Sequence, residues 1–593
     1  MFSKVLIANR GEIAIRVMRA CEELGIATVA VYSELDRDAL HVKRADEAYL
    51  LGPGPAAESY LNIDKIVEVI KESGAEAVHP GYGFLSENAA FVERLEAEGI
   101  TFIGPPASAI DAMGSKTKAR ELMQAAGVPI VPGTTEPTET YEDALRIANE
   151  EIGFPVAVKA AAGGGGKGFR VALEEKDLKD AFEGASREGE KFFSDGTVYL
   201  ERYLPKPRHV EVQIIADKHG NVIHLGERDC SIQRRHQKLI EEAPAPAWVV
   251  DEELRAKIGE IGINAAKAVN YVGAGTIEGM LQDGEYFFLE MNTRVQVEHC
   301  VTEMVTGIDI VKQGIKAAAG LELDYKQEDV VLRGHAIECR INAESAPMNF
   351  APTPGAIGDY LEPSGPGIRV DSGVGAGGIV SPMYDPMVAK LIVWDADREQ
   401  ATARMLRALS EYKIEGLTTL IPFHSTIMAT SNWAEASTCS ELLEDPEWLA
   451  STAPAEPVVP TDQDDDDIVE HPYTVEVGGR RVEVKLFAPP IAVGGGGGAA
   501  AAAAPKKKRE KRKSSGASGD DVNSPLQGNM WKVVVEEGQT VEEGQLLCII
   551  EAMKMENEVK AHKAGTIKTL AAKEGEAINS GDLIATIASP AAE

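Results

Sequence analysis

The stretch Thr276-Ile-Glu278-Gly-Met-Leu-Gln-Asp283-Gly-Glu-Tyr-Phe-Phe-Leu-Glu290-Met-Asn292-Thr-Arg294 holds two alternating runs joined by Asp-Gly. Asp-Gly between such runs signals a two-residue hairpin, because both residues accept the left-handed backbone the turn needs. Strand alternation places Glu290, Asn292 and Arg294 on one face. A register opposing Glu278 to Glu290 then gathers two carboxylates and an amide oxygen around one point. Carboxylates so paired repel unless a cation joins them, and hard oxygen ligands suit Mg²⁺ bridging phosphates. The plainer reading is the solvent face of an ordinary hairpin. The polar stripe that continues through Arg294, Gln296, Glu298 and His299 argues for the metal.

Upstream stands Pro155-Val-Ala-Val-Lys159-Ala and then Gly163-Gly164-Gly165-Gly166-Lys167-Gly168. Such a glycine run suits neither a helix interior nor a packed strand, since glycine loses the most backbone freedom on ordering. It reads either as a floppy surface loop or as a lid whose N–H groups close over phosphate. Gly-Lys-Ser/Thr is missing, so it is no Walker A loop. Lys159, at the end of an apolar strand just before the glycines, favours the lid. Two further polar runs, Glu227 to Lys238 and His335 to Asn342, place arginines and lysines among apolar strand residues. From sequence these are scaffold ion pairs or ligands with equal claim.

Farther upstream the pattern alternates strand and helix. Val5–Ala8, Ala27–Tyr32, Ala77-Val78 and Thr101-Phe-Ile read as strands, with helical spacing over Gly11–Leu24 and from Asn88 to about Gly99. Such alternation implies a parallel sheet with helices on its faces. Asn9-Arg10-Gly11-Glu12 stands where a dinucleotide fingerprint would be, which weakens that reading.

With 593 residues the chain is expected to form about four compact units. Its 60 Lys+Arg against 94 Asp+Glu give a net charge of −34, which repels phosphate backbones and anionic lipid. Neither nucleic acid nor membrane is expected as a partner. Six scattered cysteines without a Cys-x-x-Cys pair argue against a disulfide framework and for a reducing cytoplasm. The N-terminus lacks a signal-peptide pattern, and the Gly/Ala tract near Val493–Ala504 is too short and weakly apolar to span a bilayer.

Beyond residue 447 the composition changes. Residues 452–521 contain Pro, the Asp464–Asp467 run, Gly494–Gly498, Ala499–Ala504 and the basic cluster Lys506–Lys513, from which no core can be built. Tyr473–Lys485, with Gly478-Gly479 between alternating arms, interrupts this linker as a β-hairpin. The last residues repeat at an offset of 37: Gly528, Glu537, Gly538, Val541, Gly544 and Leu546 recur as Gly565, Glu574, Gly575, Ile578, Gly581 and Leu583. A small β domain of two similar halves follows. Glu551-Ala-Met-Lys554-Met-Glu-Asn557 lies at their join, where an exposed hairpin would present Lys554 for modification or contact.

In combination these motifs closely resemble the biotin-dependent carboxylases. Ile7–Arg16, His79–Asn88, the 163–168 glycines, Arg228–Lys238 and Glu290–His299 look like a biotin carboxylase of the ATP-grasp superfamily, and Glu551–Asn557 looks like a biotin carrier domain. The arrangement is similar to the alpha subunit of acetyl- and propionyl-CoA carboxylases. The resemblance implies an α/β and α+β multidomain chain: an N-terminal Rossmann-like (pre-ATP-grasp) domain over 1–113, an ATP-grasp domain over 114–332 and a biotin carboxylase C-terminal domain over 333–447. A linker over 448–521, with its hairpin near 473–485, and an all-β biotinyl/lipoyl-like domain over 522–589 complete it.

It also implies roles. Lys116, Lys159, Gly164, Gly165, Gly166, Lys167 and Gly168 would hold ATP phosphates. Glu201, Leu204, His209, Gln233 and His236 would line the rest of the nucleotide, and Glu278, Glu290 and Asn292 would hold Mg²⁺ or Mn²⁺. Lys238, Arg294, Gln296 and Val297 would cradle bicarbonate, with Glu298 as its base. Arg340 would stabilise charge on the biotin oxygen, Tyr82 would lie against the ring, and Lys554 would carry biotin covalently. Partners would be biotin protein ligase, further copies of the alpha chain and a carboxyltransferase beta subunit. No residues remain for a carboxyltransferase in the chain, which disfavours pyruvate carboxylase. Departures are Lys167 where arginine is common, Cys300 where Pro or Thr is usual, and Trp531 in the carrier domain. Two other readings remain: an ATP-grasp ligase joining a carboxylate to an amine, and a non-enzymatic lipoyl-like carrier.

Overall fold

The computed structural model describes residues 1–134, 136–160, 169–193, 196–453, 469–477, 480–488, 520–525, 528–552, 555–578 and 581–588. At the N-terminus five parallel strands, Lys4–Ile7, Ala27–Ser33, Glu47–Gly52, Ala77–His79 and Thr101–Phe102, form a sheet in the order third, second, first, fourth, fifth. The order reverses between the first and fourth strands, and such a reversal opens a crevice at the strands' carboxyl ends. Asn9 sits there, its Nδ2 donating to the carbonyls of Pro80 (2.7 Å) and Tyr82 (2.8 Å). Gly81 between them has φ +63°, and a Cβ there would lie 2.9 Å from Asn9 Nδ2, so the loop that presents Tyr82 requires glycine.

Next comes a small antiparallel sheet of Phe169–Ala172, Val156–Ala160 and Val198–Arg202, backed by the helix Glu175–Phe193. Lys159 and Glu201 lie on two adjacent strands of it. The chain then builds an eight-stranded antiparallel sheet. Its order is Glu285–Asn292, Gly273–Gln282, Arg208–Ala216, Val222–Arg234, Gln237–Ala243, His335–Asn342, Met387–Asp395 and Ile368–Ser372. The last three strands come from the block after Arg333, so that block extends the preceding sheet, and it adds three short two-stranded sheets of its own. His335–Asn342 reads apolar or buried at nearly every position because both faces are covered. The helices Arg398–Glu411 and Ile421–Met428 pack Met405, Leu409, Phe423 and Ile427 against Ile337, Cys339 and Leu391 on one side. The opposite side carries the polar side chains described below.

The linker hairpin pairs Val469–Val477 with Arg480–Ala488, longer at both ends than the alternation of Tyr473–Lys485 predicts. No helix among the described residues is long and apolar enough to cross a membrane.

The C-terminal domain has two four-stranded sheets related by its sequence repeat. One orders Asp521–Asn523, Leu583–Ala588, Gly565–Leu570 and Thr540–Val541. The other orders Met555–Lys560, Leu546–Ala552, Gly528–Val533 and Ala577–Ile578. Each strand has its counterpart at the 37-residue offset in the other sheet. The repeated glutamates act reciprocally: Glu574 Oε1 accepts from the Val533 amide and Glu537 Oε1 from the Leu570 amide, both at 2.8 Å. Leu546–Ala552 and Met555–Lys560 pair as far as Ala552↔Met555; Met553 and Lys554 lie outside the described residues. Removing either glutamate is expected to expose one amide only. In Glu574→Ala hydrogen exchange should quicken at Val533 and not at Leu570, and Glu537→Ala should show the reverse.

Candidate active site

Lys238, at the start of Gln237–Ala243, is the centre of the site. Its ammonium donates to Glu211 Oε2 (2.5 Å), Glu298 Oε1 (2.6 Å) and Glu278 Oε1 (2.9 Å). All three N–H donors are therefore in use. Burial opposes the ammonium's charge, but the surrounding carboxylates override it and raise its pKa well above the usual lysine value. Burial likewise opposes ionisation of Glu211, Glu278 and Glu298. Lys238 is foremost among the charges that outweigh it, and all three carboxyls are held below the usual range.

Arg228, fully buried, and Arg340 show how two similar arginines differ. Arg228 Nε donates to Glu211 (2.6 Å), Nη1 to Gln213 (2.7 Å) and Thr302 (3.0 Å), and Nη2 to Gln296 (2.6 Å) and Thr276 (3.2 Å). Every guanidinium hydrogen has a protein partner, so Arg228 is scaffold. Arg340 Nε donates to Glu241 (2.6 Å) and Nη2 to Glu298 Oε2 (2.9 Å). Its remaining N–H groups have no partner among the described residues and can take a ligand.

The hairpin register opposes Glu278 to Glu290 and Thr276 to Asn292, with an irregularity just beyond Glu278. Asn292 Nδ2 and Gln296 Nε2 donate to Glu278 Oε1 at 2.8 and 2.6 Å, and His209 Nε2 lies 2.9 Å from Glu278 Oε2. Burial would lower the His209 imidazole, but the neighbouring Glu211 and Glu278 carboxylates, which accept from it, raise it to about 9. Glu290 is exposed on the edge strand. The strand ends at Asn292, and Arg294, Gln296, Val297 and Glu298 lie on the loop leading into the helix His299–Thr306. The expected continuation of the polar stripe is therefore a loop, which can turn Gln296 and Glu298 inward together. Arg294 Nε donates to Glu87 (2.8 Å) and Nη2 to Asn292 Oδ1 (2.7 Å).

Other expected residues stand farther out. Lys159 pairs with Glu201, which Arg120 also holds at 2.8 Å. Leu204 follows that strand, and Lys116 opens the helix Lys116–Ala125. Gln233 Nε2 donates to the Cys230 carbonyl at 2.7 Å, and His236 is exposed in the turn before Lys238. The Tyr82 hydroxyl donates to Glu12. Gly164, Gly165, Gly166, Lys167 and Gly168, like Lys554, lie outside the described residues. Sequence reading missed Glu211, Glu241, Glu87 and Arg120. Only Glu211 carried a local signal, a carboxylate within the apolar strand Val210–Ile215.

A parallel sheet, a small sheet bearing Lys159 and a long antiparallel sheet lined with carboxylates define an ATP-grasp enzyme. Family models match on this point: biotin carboxylase N-terminal domain over 1–110, carbamoyl-phosphate synthase L chain ATP-binding domain over 115–326, biotin carboxylase C-terminal domain over 338–445, and biotin-requiring enzyme over 515–587. The chain belongs to the biotin carboxylases, here joined to a biotin carrier domain, and it carries out ATP-dependent carboxylation of biotin, using biotin, ATP and Mg²⁺.

It is 46% identical over 604 residues to the biotin-dependent acyl-coenzyme A carboxylase alpha3 subunit of Mycobacterium leprae, covering 99% of this chain and 98% of that one. It is 55% identical over 428 residues to a pyruvate carboxylase subunit of Methanothermobacter thermautotrophicus, covering 72% and 87%. A crystal structure of the biotin carboxylase domain of 2-oxoglutarate carboxylase from Hydrogenobacter thermophilus, with MgADP, ADP and bicarbonate, has a TM-score of 0.69 at 49% identity over 77% of this chain and 100% of that one. The pyruvate carboxylase match corrects one expectation: the lack of carboxyltransferase residues does not separate acyl-CoA from pyruvate as acceptor.

Arg228→Met removes the cation that compensates Glu211 on one side, and loss of one partner of a buried pair costs roughly 3–5 kcal/mol. Chemical denaturation should register that loss.

Proposed function

We propose that residues 1–447 carboxylate biotin carried on Lys554, and that a separate carboxyltransferase subunit passes the carboxyl group to an acyl-CoA. The observation that carries the residue assignments is Glu298, ionised between Lys238 and Arg340. Bicarbonate is a weak nucleophile, and a carboxylate beside an anion cradle of Lys238, Arg294, Gln296 and the Val297 backbone can take its proton as it attacks the γ-phosphate. Arg340, with N–H groups to spare, would stabilise the negative charge that gathers on the biotin oxygen. Tyr82 would lie against the ring.

The donor set Glu278, Glu290 and Asn292 is all oxygen, which fits Mg²⁺; the ion when bound neutralises charge on the phosphates being transferred. Lys116, Lys159 and residues 164–168 would hold those phosphates, with Glu201, Leu204, His209, Gln233 and His236 around the rest of the nucleotide. Biotin supplies a ureido nitrogen that accepts the carboxyl group. The strands pairing up to Ala552↔Met555 support Lys554 as the attachment point, where biotin protein ligase would act. The divisions 1–113, 114–332, 333–447, 448–521 and 522–589 serve this cycle, the linker letting the carrier travel. Homo-oligomers of this chain within a larger complex and a cytoplasmic location complete the reading.

Similarity from end to end to an acyl-CoA carboxylase alpha subunit favours an acyl-CoA acceptor. Pyruvate is the second reading, favoured by 55% identity to a pyruvate carboxylase subunit. The purified chain with ATP, Mg²⁺ and bicarbonate should carboxylate free biotin. Lys554→Ala should keep that activity and lose acceptor carboxylation in the reconstituted complex; loss of both would contradict the division of labour. Assays of acetyl-CoA, propionyl-CoA and pyruvate with the co-purified partner decide the acceptor. Arg340→Ala should lower free-biotin turnover by about 10²–10³, and Glu298→Gln by about 10²–10⁴.

A further inference from the structure

Lys390 is fully buried, an unusual place for an ammonium. It lies on Met387–Asp395 directly opposite Arg340 in register, yet it does not join the carboxylate cluster around Lys238. Its Nζ donates to the Val297 carbonyl (2.9 Å) and to Cys300 Sγ (3.2 Å), and lies 3.2 Å from Glu12 Oε2. The first two contacts are hydrogen bonds and the third is an ion pair. Asp371 Oδ2, at 3.9 Å, adds a more distant charge and itself takes the Cys300 thiol at 3.3 Å.

Each contact belongs to a different part of the chain. Val297 is in the loop that sets Glu298, Gln296 and Arg294, and Cys300 is in the first turn of the helix that follows. Glu12 is in the helix Gly11–Glu23 of the N-terminal sheet domain and is itself buried. The other Glu12 oxygen accepts from the Tyr82 hydroxyl. A continuous path of polar contacts therefore runs from Tyr82, which is partly exposed, through the buried Glu12 and Lys390 to the Val297–Glu298 peptide, crossing from one domain to another. A buried charge pair is poor evidence for stability, since desolvation offsets its attraction. What such a pair does supply is fixed geometry, because neither partner has another place to go.

We infer that Glu12 and Lys390 are positioning residues that couple the Tyr82 side of the site to the loop holding Glu298, so that seating the biotin ring on Tyr82 sets the peptide that presents bicarbonate to its base. The inference rests on the placement of biotin and bicarbonate proposed above. Neither residue touches either substrate.

The test uses the full chain with ATP, Mg²⁺, bicarbonate and free biotin, comparing the natural sequence with Glu12→Gln, Lys390→Met, Tyr82→Phe and the double variant Glu12→Gln/Lys390→Met. Tyr82→Phe keeps the ring and removes only the hydroxyl that Glu12 holds, and Glu12→Gln is nearly isosteric, so both report even where Lys390→Met does not fold. The expected result is a rise of about tenfold in KM for bicarbonate in Glu12→Gln and in Tyr82→Phe, although both sit in the other domain, with KM for ATP unchanged. The double variant should be no worse than the poorer single one, as for residues acting in series. Unchanged KM for bicarbonate in Glu12→Gln and Tyr82→Phe, or equal rises for ATP and bicarbonate, would overturn the coupling. Failure of the natural chain to carboxylate biotin would instead overturn the function on which it rests.

Discussion

Glu211, Glu278 and Glu298 converge on the single ammonium of Lys238, and most of the architecture serves that meeting. Three carboxylates excluded from water cannot all stay ionised unless cations stand among them. The eight-stranded sheet supplies Glu211, Arg228, Lys238, Glu278 and Arg340 from five adjacent strands, so the spacing of the charges is the spacing of the strands. Only Glu298 arrives from outside the sheet, at the start of a helix, and it joins Lys238 to Arg340. An antiparallel sheet is well suited to this, because alternate side chains from neighbouring strands meet on one face at fixed distances.

A second set of buried ion pairs fastens the N-terminal domain to that sheet. Arg16 of the helix Gly11–Glu23 reaches Glu303 (2.7 Å) and Asp309 (2.8 Å), and Arg369 reaches Glu303 from the far edge of the sheet at 2.7 Å. Such pairs add less stability than apolar contacts of the same size, but they fix orientation. The crevice that presents Tyr82 is therefore held at a constant distance from the loop of Glu298.

What the sequence disclosed was local. The strand–helix alternation of the first hundred residues, the Asp283-Gly284 turn with Glu278 opposite Glu290, and the 37-residue repeat of the carrier domain are each governed by neighbours along the chain. What it withheld was set by partners far away in sequence. Arg228 and Arg340 look alike in their apolar strands, and only the count of hydrogen-bond partners separates the saturated guanidinium from the one with donors to spare. Nothing near His335 reveals that it continues a sheet begun at Arg208, since strand pairing across more than ninety residues leaves no trace in either segment. Gln296 and Glu298 were legible as polar residues of one stripe, although they turn inward from a loop, because alternation alone does not say where a strand stops. Lys390 has the same difficulty: in Ala389-Lys390-Leu391 a buried ammonium and an exposed one are spelled identically.

The internal two-fold of the carrier domain has a geometric corollary. The 37-residue offset relates the paired strands Leu546–Ala552 and Met555–Lys560 to Leu583–Ala588 and Asp521–Asn523, whose far end is the pairing of Asp521 with Thr586. The symmetry therefore puts the strand ends Ala552 and Met555 and the pairing of Asp521 with Thr586 at opposite poles. With strands of six or seven residues rising about 3.3 Å each, that separation is roughly 20 Å. A group borne at that hairpin end thus stands a domain's length away from the pairing of Asp521 with Thr586.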